Sequence, residues 1–330
     1  MANGLNAKMF LSEKLFINED KAATRDGFGK GLVELGEKDK RVVALCADLT
    51  ESTRVQGFKD KFPERFVEMG VAEQNMAGVA AGMSQEGKIP FMATYAVFCP
   101  GRNWDQIRVS ICYSKANVKF CGAHSGITVG PDGATHQALE DIAATRCIPN
   151  LTVIVPCDSI ECKKAALASA EINGPVYLRF GREKSPIMTT ENTPFKVGRI
   201  ETFREGKDVA IIACGIMVYE ALAAAETLKK DGIDAAVVDC HTIKPIDVAG
   251  ITEIARKTGA VVTAEEHQIT GGLGGAVAEV LGENYPVPMS RVGMNDRFGE
   301  SGKPSELMKK YGMSSEAIAE SCRKIMKRKK

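Results

Sequence analysis

The chain lacks a charge of one sign. Lys and Arg number 43 against 42 Asp and Glu, a formal net charge of +1 over 330 residues. Such a surface has no field to gather a polyanion, so neither nucleic acid nor an anionic membrane is expected as a main partner. Long apolar runs are missing as well, and none approaches the ~20 residues that cross a bilayer. Residues 1–18 show no basic stretch leading into an apolar core, so no secretory leader is expected. Ten cysteines occur, yet none is paired in C-x-x-C spacing, which removes the best support for zinc or thiol-redox chemistry. Cys46, Cys121, Cys147 and Cys214 fall in or beside apolar runs, as buried free thiols do. The reading is of a cytoplasmic protein in a reducing compartment.

Standard single-chain motifs are absent too. There is no G-x-x-x-x-G-K-[ST] (Gly302-Lys303 is followed by Pro304), no G-x-G-x-x-G after a strand, no H-E-x-x-H and no G-x-S-x-G. Gly271-Gly-Leu-Gly-Gly275 opens a helix whose N-terminus could hold an anion. Tight helix–sheet packing explains those glycines more simply.

What the chain does have is alternation. Short apolar runs at 41–46, 91–95, 118–121, 151–155 and 176–180 read as strands, separated by helical stretches at 20–36, 73–86, 101–113, 138–144 and 158–172. Strands this apolar, with helices between them, predict a parallel sheet covered on both faces. Around 183–206 the period lapses, and it resumes with strands at 209–213, 235–239, 261–264 and 287–292. The expectation is an α/β fold of two doubly wound domains: 1–190, a linker at 191–205, and a smaller second domain at 206–330 with its own core. The basic end, Arg323 to Lys330, reads as a frayed, solvated terminus.

Two segments carry candidate chemistry. Val71-Ala-Glu-Gln-Asn-Met-Ala-Gly-Val-Ala-Ala-Gly-Met83 is a helix of small and apolar residues, expected to be buried, with one carboxylate at its start. Glu73 could simply suit the helix dipole. A carboxyl at the entrance to a core could also share a proton with a bound heterocycle. The second segment, Ala123-His-Ser-Gly-Ile-Thr-Val-Gly-Pro-Asp-Gly-Ala-Thr-His-Gln137, is a Gly-rich loop after a strand and holds two of the four histidines. Open α/β sheets bind ligands at that end of their strands. His241 and His267 are read as structural or rim residues.

Val71-Ala-Glu-Gln74 and Gly130-Pro-Asp-Gly-Ala-Thr-His-Gln137, with the strand end Ala93-Thr-Tyr-Ala-Val-Phe98 between them, resemble transketolase, and specifically the C-terminal subunit of a split transketolase. The resemblance runs from Thr24-Arg25 to Lys310-Tyr-Gly-Met313. It implies a pyrimidine-binding domain followed by a transketolase C-terminal domain, and thiamine diphosphate as cofactor. By the same resemblance, Glu73 would hydrogen-bond N1′ of the aminopyrimidine and help generate the nucleophilic thiazolium carbon. Phe98 would stack on that ring, Tyr95 would wall the pocket, and Asp48 would lie near the cofactor. His136 and Asp132 would hold donor hydroxyls at the cleaved bond. Arg25, Ser52, His124 and Arg179 would hold the terminal phosphate of a sugar phosphate, a task that suits guanidinium donors.

Departures from the family accompany these matches. Pro131 replaces an acidic loop residue, and Gly101 stands where many single-chain transketolases carry an aromatic, implying a stiffer loop and a more open pocket. No Gly-Asp pair occurs anywhere, so the Mg²⁺ ligands are expected on a partner and none here. The implied assembly is an α2β2 heterotetramer with an N-terminal, diphosphate-binding subunit. The implied reaction moves a two-carbon ketol unit from a ketose phosphate, such as xylulose 5-phosphate, to an aldose phosphate in the pentose phosphate pathway. The alternatives are the beta subunit of a 2-oxo-acid dehydrogenase decarboxylating component, deoxyxylulose-5-phosphate synthase, and a non-catalytic partner-binding paralogue.

Overall fold

The computed structural model describes residues 4–17 and 20–329. Before residue 190 the strands are β1 (Lys21–Ala23), β2 (Val42–Cys46), β3 (Phe66–Glu68), β4 (Ile89–Tyr95), β5 (Lys119–Ala123), β6 (Thr152–Ile154), β7 (Val176–Arg179) and β8 (Lys184–Pro186). After it come β9 (Glu201–Arg204), β10 (Val209–Ala213), β11 (Ala235–Asp239), β12 (Thr242–Lys244), β13 (Val261–Gln268) and β14 (Met289–Met294).

The first sheet runs β12–β6–β7–β5–β4–β2–β3, and β2 through β7 pair in parallel. The second runs β14–β13–β10–β11–β9, parallel except for β9. A small antiparallel pair, β1 with β8, stands apart. Every residue of β2, β5, β7, β10 and β11 is buried. Helices cover both faces of these strands, which is why they read as unbroken apolar runs instead of alternating ones. The two α/β domains with parallel-rich sheets are as expected.

Three organisational expectations change. Residues 191–205 are not all linker: β9 pairs antiparallel with β11, burying Phe203 and Arg204. A four-residue edge strand has too short a period to read from sequence. The second domain does not keep to itself, because β12 crosses over and joins the first sheet antiparallel to β6. One apolar cluster accordingly runs from Val43 and Met92 through Val153 to Ile212 and Val238. The C-terminus is docked as far as Met326: the Ser315–Met326 helix buries Ile318, Ala319, Cys322 and Ile325.

Glycine sets one helix contact. The Thr24–Lys38 helix packs on the Ser159–Glu171 helix so closely that a Cβ on Gly27 would lie 1.8 Å from the Ser159 carbonyl oxygen. Only glycine fits that crossing. The Glu73–Gln85 helix, expected to be wholly buried, hides one face only (Glu73, Met76, Ala77, Ala80, Ala81). Gly78 and Gly82 face open space on the other side. All ten cysteines are free, and Cys147 is exposed, against the expectation for it. Among the described residues no helix is long and apolar enough to cross a membrane.

Candidate active site

The site is assembled where parallel strands end. Tyr95 closes β4, His124 follows β5, Asp48 lies just beyond β2, and Arg182 lies just beyond β7. Asp48 and His124 both adopt left-handed backbone (φ 57° and 53°). Such conformations cost on the order of 1 kcal/mol each and concentrate at functional sites.

An aromatic chain forms the floor. The rings of Tyr95 and His124 stack at 3.9 Å between centroids, and Phe98 lies nearly parallel to Tyr95 at 6.0 Å. His136 meets Phe98 edge-on at 5.6 Å, and its Nδ1 is 2.8 Å from the Thr135 hydroxyl. Tyr95 and Phe98 from the strand end and His124 and His136 from the loop therefore lie in one cluster of rings.

At one end of this chain of rings lies a carboxylate. Glu73 opens its helix and is 1% exposed. Arg102 Nη1 donates to both carboxylate oxygens, at 3.0 and 2.9 Å, while its guanidinium sits 4.4 Å from the Phe98 ring centroid. The Asn103 amide donates to the Glu73 backbone carbonyl. Burial, with the Glu73 charge adding to it, pushes the neighbouring Cys99 thiol up to about 12.

At the other end cations gather. Arg25 Nη1 donates to the Ser52 carbonyl at 2.9 Å and approaches His124 Nε2 at 3.5 Å. Arg182 Nη1 donates to both oxygens of Asp132, at 3.1 and 3.2 Å. Burial first, then the charges of Arg25, Arg182 and Arg54, lower the His124 imidazole to about 3, so its ring is neutral at physiological pH. Its Nδ1 is buried without a partner. A neutral imidazole with a free nitrogen between two guanidiniums can bind an anion without repelling it.

Arg179 is not part of this group. It is 3% exposed, its Nε donates to Asp141 at 2.7 Å, and its Nη2 donates to the carbonyls of Ala138 and Glu266. Tyr177 donates to the same carboxylate. Burial opposes the Asp141 charge, but Arg179 and these hydrogen bonds prevail and hold the carboxyl below its usual range. The phosphate role expected of Arg179 therefore fails on geometry, and Arg182, three residues on, supplies the exposed guanidinium instead. Ligand groups in open α/β sheets lie beyond the strand ends, and β7 runs through Arg179 itself.

Other placements are mixed. Ser52 enters through its carbonyl, which anchors Arg25. Asp48 is exposed, and its backbone N–H donates to Glu68 at 2.8 Å instead of meeting the ring cluster. A Cβ on Gly101 would lie 2.2 Å from the Val97 carbonyl oxygen, so no aromatic fits there on this backbone. Pro131 sits in a short 3-10 turn at Ile127–Asp132, bent at Gly130 (φ 77°). His241 and His267 are buried structural residues, lowered by burial to about 3 and about 4. The Gly271–Gly275 turn does hold a carboxyl group, an internal one. Leu273 and Gly274 N–H groups donate to the Glu265 carboxylate at 2.7 and 2.8 Å.

Comparison with known proteins decides the family. Residues 20–187 match the family described as transketolase, pyrimidine binding domain, and residues 198–318 match transketolase, C-terminal domain. The chain belongs to the transketolase family. A solved split gene transketolase, an inactive beta4 tetramer, is 50% identical with a TM-score of 0.88, covering 93% of this chain and 99% of that one. A 6-deoxy-6-sulfo-D-fructose transketolase subunit from Clostridium sp. (strain MSTE9) is 44% identical over 305 residues, 92% of this chain and 95% of that subunit. Homo sapiens transketolase is 38% identical over 311 residues, 93% of this chain but 49% of that enzyme.

Transketolases characteristically use thiamine diphosphate and a divalent metal. The cluster suits the aminopyrimidine half of that cofactor: a buried carboxylate to meet a ring nitrogen and the planar Phe98 to meet a ring face. Among the described residues, the His, Cys, Asp and Glu side chains close enough together to hold a metal are Cys157, Glu161 and Asp239. None belongs to the Glu73–Phe98 cluster.

Proposed function

We propose that this chain is the pyrimidine-binding subunit of a split transketolase. It works with a diphosphate-binding partner to move a two-carbon ketol unit from a ketose phosphate, such as xylulose 5-phosphate, to an aldose phosphate. The observation that carries the reading is the single chain of rings joining the Glu73 carboxylate at one end to Arg25, His124 and Arg182 at the other. One end suits a heterocycle and the other a terminal anion, as a reaction between a cofactor and a sugar phosphate requires.

Thiamine diphosphate, when bound, supplies a ring that stabilises negative charge on the carbon beside a cleaved carbon–carbon bond. Glu73 holds and returns a proton at N1′, in a site that excludes water and strengthens the hydrogen bond. Phe98 fixes the tilt of the ring, and Tyr95 buttresses both Phe98 and His124. His136 and Asp132 contact donor hydroxyls, with Arg182 steadying the Asp132 carboxylate. Arg25, anchored by Ser52, and Arg182 then bracket the far anion.

A partner supplies the diphosphate and Mg²⁺ contacts in this reading, and the assembly is α2β2. Two features support it. No Gly-Asp pair exists in the chain, and it aligns with about half of a full-length relative. Val71, Val109 and Tyr113 are exposed beside the Glu73–Gln85 helix, whose own outer side carries Gln74, Asn75, Gly78 and Gly82, and offer apolar side chains to that partner.

The test is a coupled assay for glyceraldehyde 3-phosphate released from xylulose 5-phosphate, with ribose 5-phosphate as acceptor and thiamine diphosphate and Mg²⁺ present. Activity should need both the chain and the diphosphate-binding subunit. A stable complex that is inactive on phosphorylated ketoses should next be given a 6-sulfonated ketose, because the same cationic end would accept a sulfonate. Silence on both classes of substrate would refute the reading.

A further inference from the structure

The guanidinium of Arg102 already does what an aminopyrimidine would do in this pocket. It is planar, it lies over the Phe98 ring at 4.4 Å, and its Nη1 donates to both oxygens of Glu73 at 3.0 and 2.9 Å. A heterocycle that stacks on that face of Phe98 and meets Glu73 would need the same space and the same carboxyl group. The geometry points to Arg102 as an internal stand-in for the cofactor ring, which the ring must displace on entry. Cofactor loading is then an exchange of one planar partner for another on Glu73, whose carboxylate takes up a proton from solvent to share with the ring nitrogen as the guanidinium leaves. This rests on the assignment of Glu73 and Phe98 to the aminopyrimidine.

The chemistry makes the exchange feasible. Glu73 is 1% exposed, and a buried carboxylate without a counter-charge is strongly disfavoured. Arg102 supplies that counter-charge while remaining 46% exposed, so its head can swing into water without opening the core. Its contacts with Glu73 and Phe98 come from a long side chain on a surface turn. The result is a carboxylate that is kept paired and pre-aimed until the ring arrives. Arg102 acts through Glu73 and is thus a positioning residue.

Competition of this kind lowers apparent affinity by the fraction of time the carboxylate is free. A half-exposed ion pair of ordinary strength, about a factor of five, sets the scale of the effect. In the complex reconstituted with the diphosphate-binding subunit, Arg102→Gln should therefore bind thiamine diphosphate roughly fivefold faster, read by stopped-flow fluorescence and not by turnover. The advantage over wild type should shrink as salt rises, because salt already weakens the Arg102–Glu73 pair in the parent. Arg102→Lys keeps the charge but not the plane, and should keep the salt dependence.

Equal or slower binding by Arg102→Gln, or a ratio to wild type that ignores salt, would overturn the exchange. Wild type and Glu73→Gln run beside it separate the two levels of the argument. If wild type binds the cofactor and Glu73→Gln binds it more weakly, the site assignment stands and only the exchange is at stake. If wild type fails to bind, or Glu73→Gln binds equally well, the functional reading falls and the exchange falls with it.

Discussion

Arg182 and Asp132 face each other across the mouth of the site, Nη1 to Oδ1 at 3.1 Å and to Oδ2 at 3.2 Å, although 50 residues separate them in the chain. The pair ties the Gly-rich loop to the end of β7, bringing a second guanidinium close enough to Arg25 and His124 for its charge to act on both. Arg179, in the same segment, faces the buried junction of the domains instead.

That contrast yields a paired prediction. Arg182→Ala should raise the KM for a phosphorylated donor at least tenfold, since a hydrogen bond to a charged group is worth about 1.5–3 kcal/mol. Its melting temperature should stay near that of the parent. Arg179→Ala should instead lower stability by about 3–5 kcal/mol, because it leaves Asp141 buried and unpaired. Denaturant melts of the two variants, with KM measured for the first, check both arms.

Glu73→Ala should cost at least ~10²-fold in kcat in the reconstituted enzyme, the scale expected for loss of a proton-transferring group. Circular dichroism should remain that of the folded chain. Two-carbon transfer at the parental rate would remove Glu73 from the mechanism.

Glu161, on the Ser159–Glu171 helix, and Asp239, at the end of β11, form a buried carboxyl pair across the domain junction. Both Asp239 oxygens and Glu161 Oε1 lack a donor partner, so the pair must share a proton. Burial first pushes both carboxyls upward, with the Asp158 charge adding to it and, for Asp239, the charge of Glu161; for Glu161 the hydrogen bond shared with Asp239 and the Cys157 N–H pull the other way. A carboxyl raised in the folded state binds more protons there than in the unfolded chain. Its contribution is complete below the ordinary carboxyl value of 4.5 and is lost as pH climbs through the raised one. Glu161→Gln keeps a hydrogen bond without the titration. Relative to the parent, the variant should therefore gain stability as pH rises from acid toward alkaline, as thermal melts would read. A difference that did not vary with pH would contradict the shared proton.

Gly126 tests the seam from the loop side. Its φ is 81°, and a Cβ there would lie 2.2 Å from the Glu266 Cδ, whose Oε1 accepts the Thr128 N–H at 2.5 Å. Gly126→Ala should destabilise by ~1–3 kcal/mol through left-handed strain and a displaced Glu266. A denaturant melt matching the parent would show that the loop can shift at no cost.

The sequence by itself determined the fold class and singled out the two segments that carry the candidate site. Parallel strands buried on both faces must be written as short apolar runs, so 42–46, 119–123 and 209–213 announce themselves locally. Glu73 at a helix start and the loop from Gly130 to Gln137 are contiguous motifs, readable for the same reason. Tertiary structure alone decided what depends on register and distant contact. It moved β12 to the other domain's sheet, turned Arg179 into a buried counter-ion for Asp141, and set Arg182 on Asp132 and Arg102 on Glu73. The physical reason is that periodicity reports which face of an element is dry. It does not report which of two arginines three residues apart reaches the pocket, because that depends on where the strand ends and on what the rest of the chain packs against it.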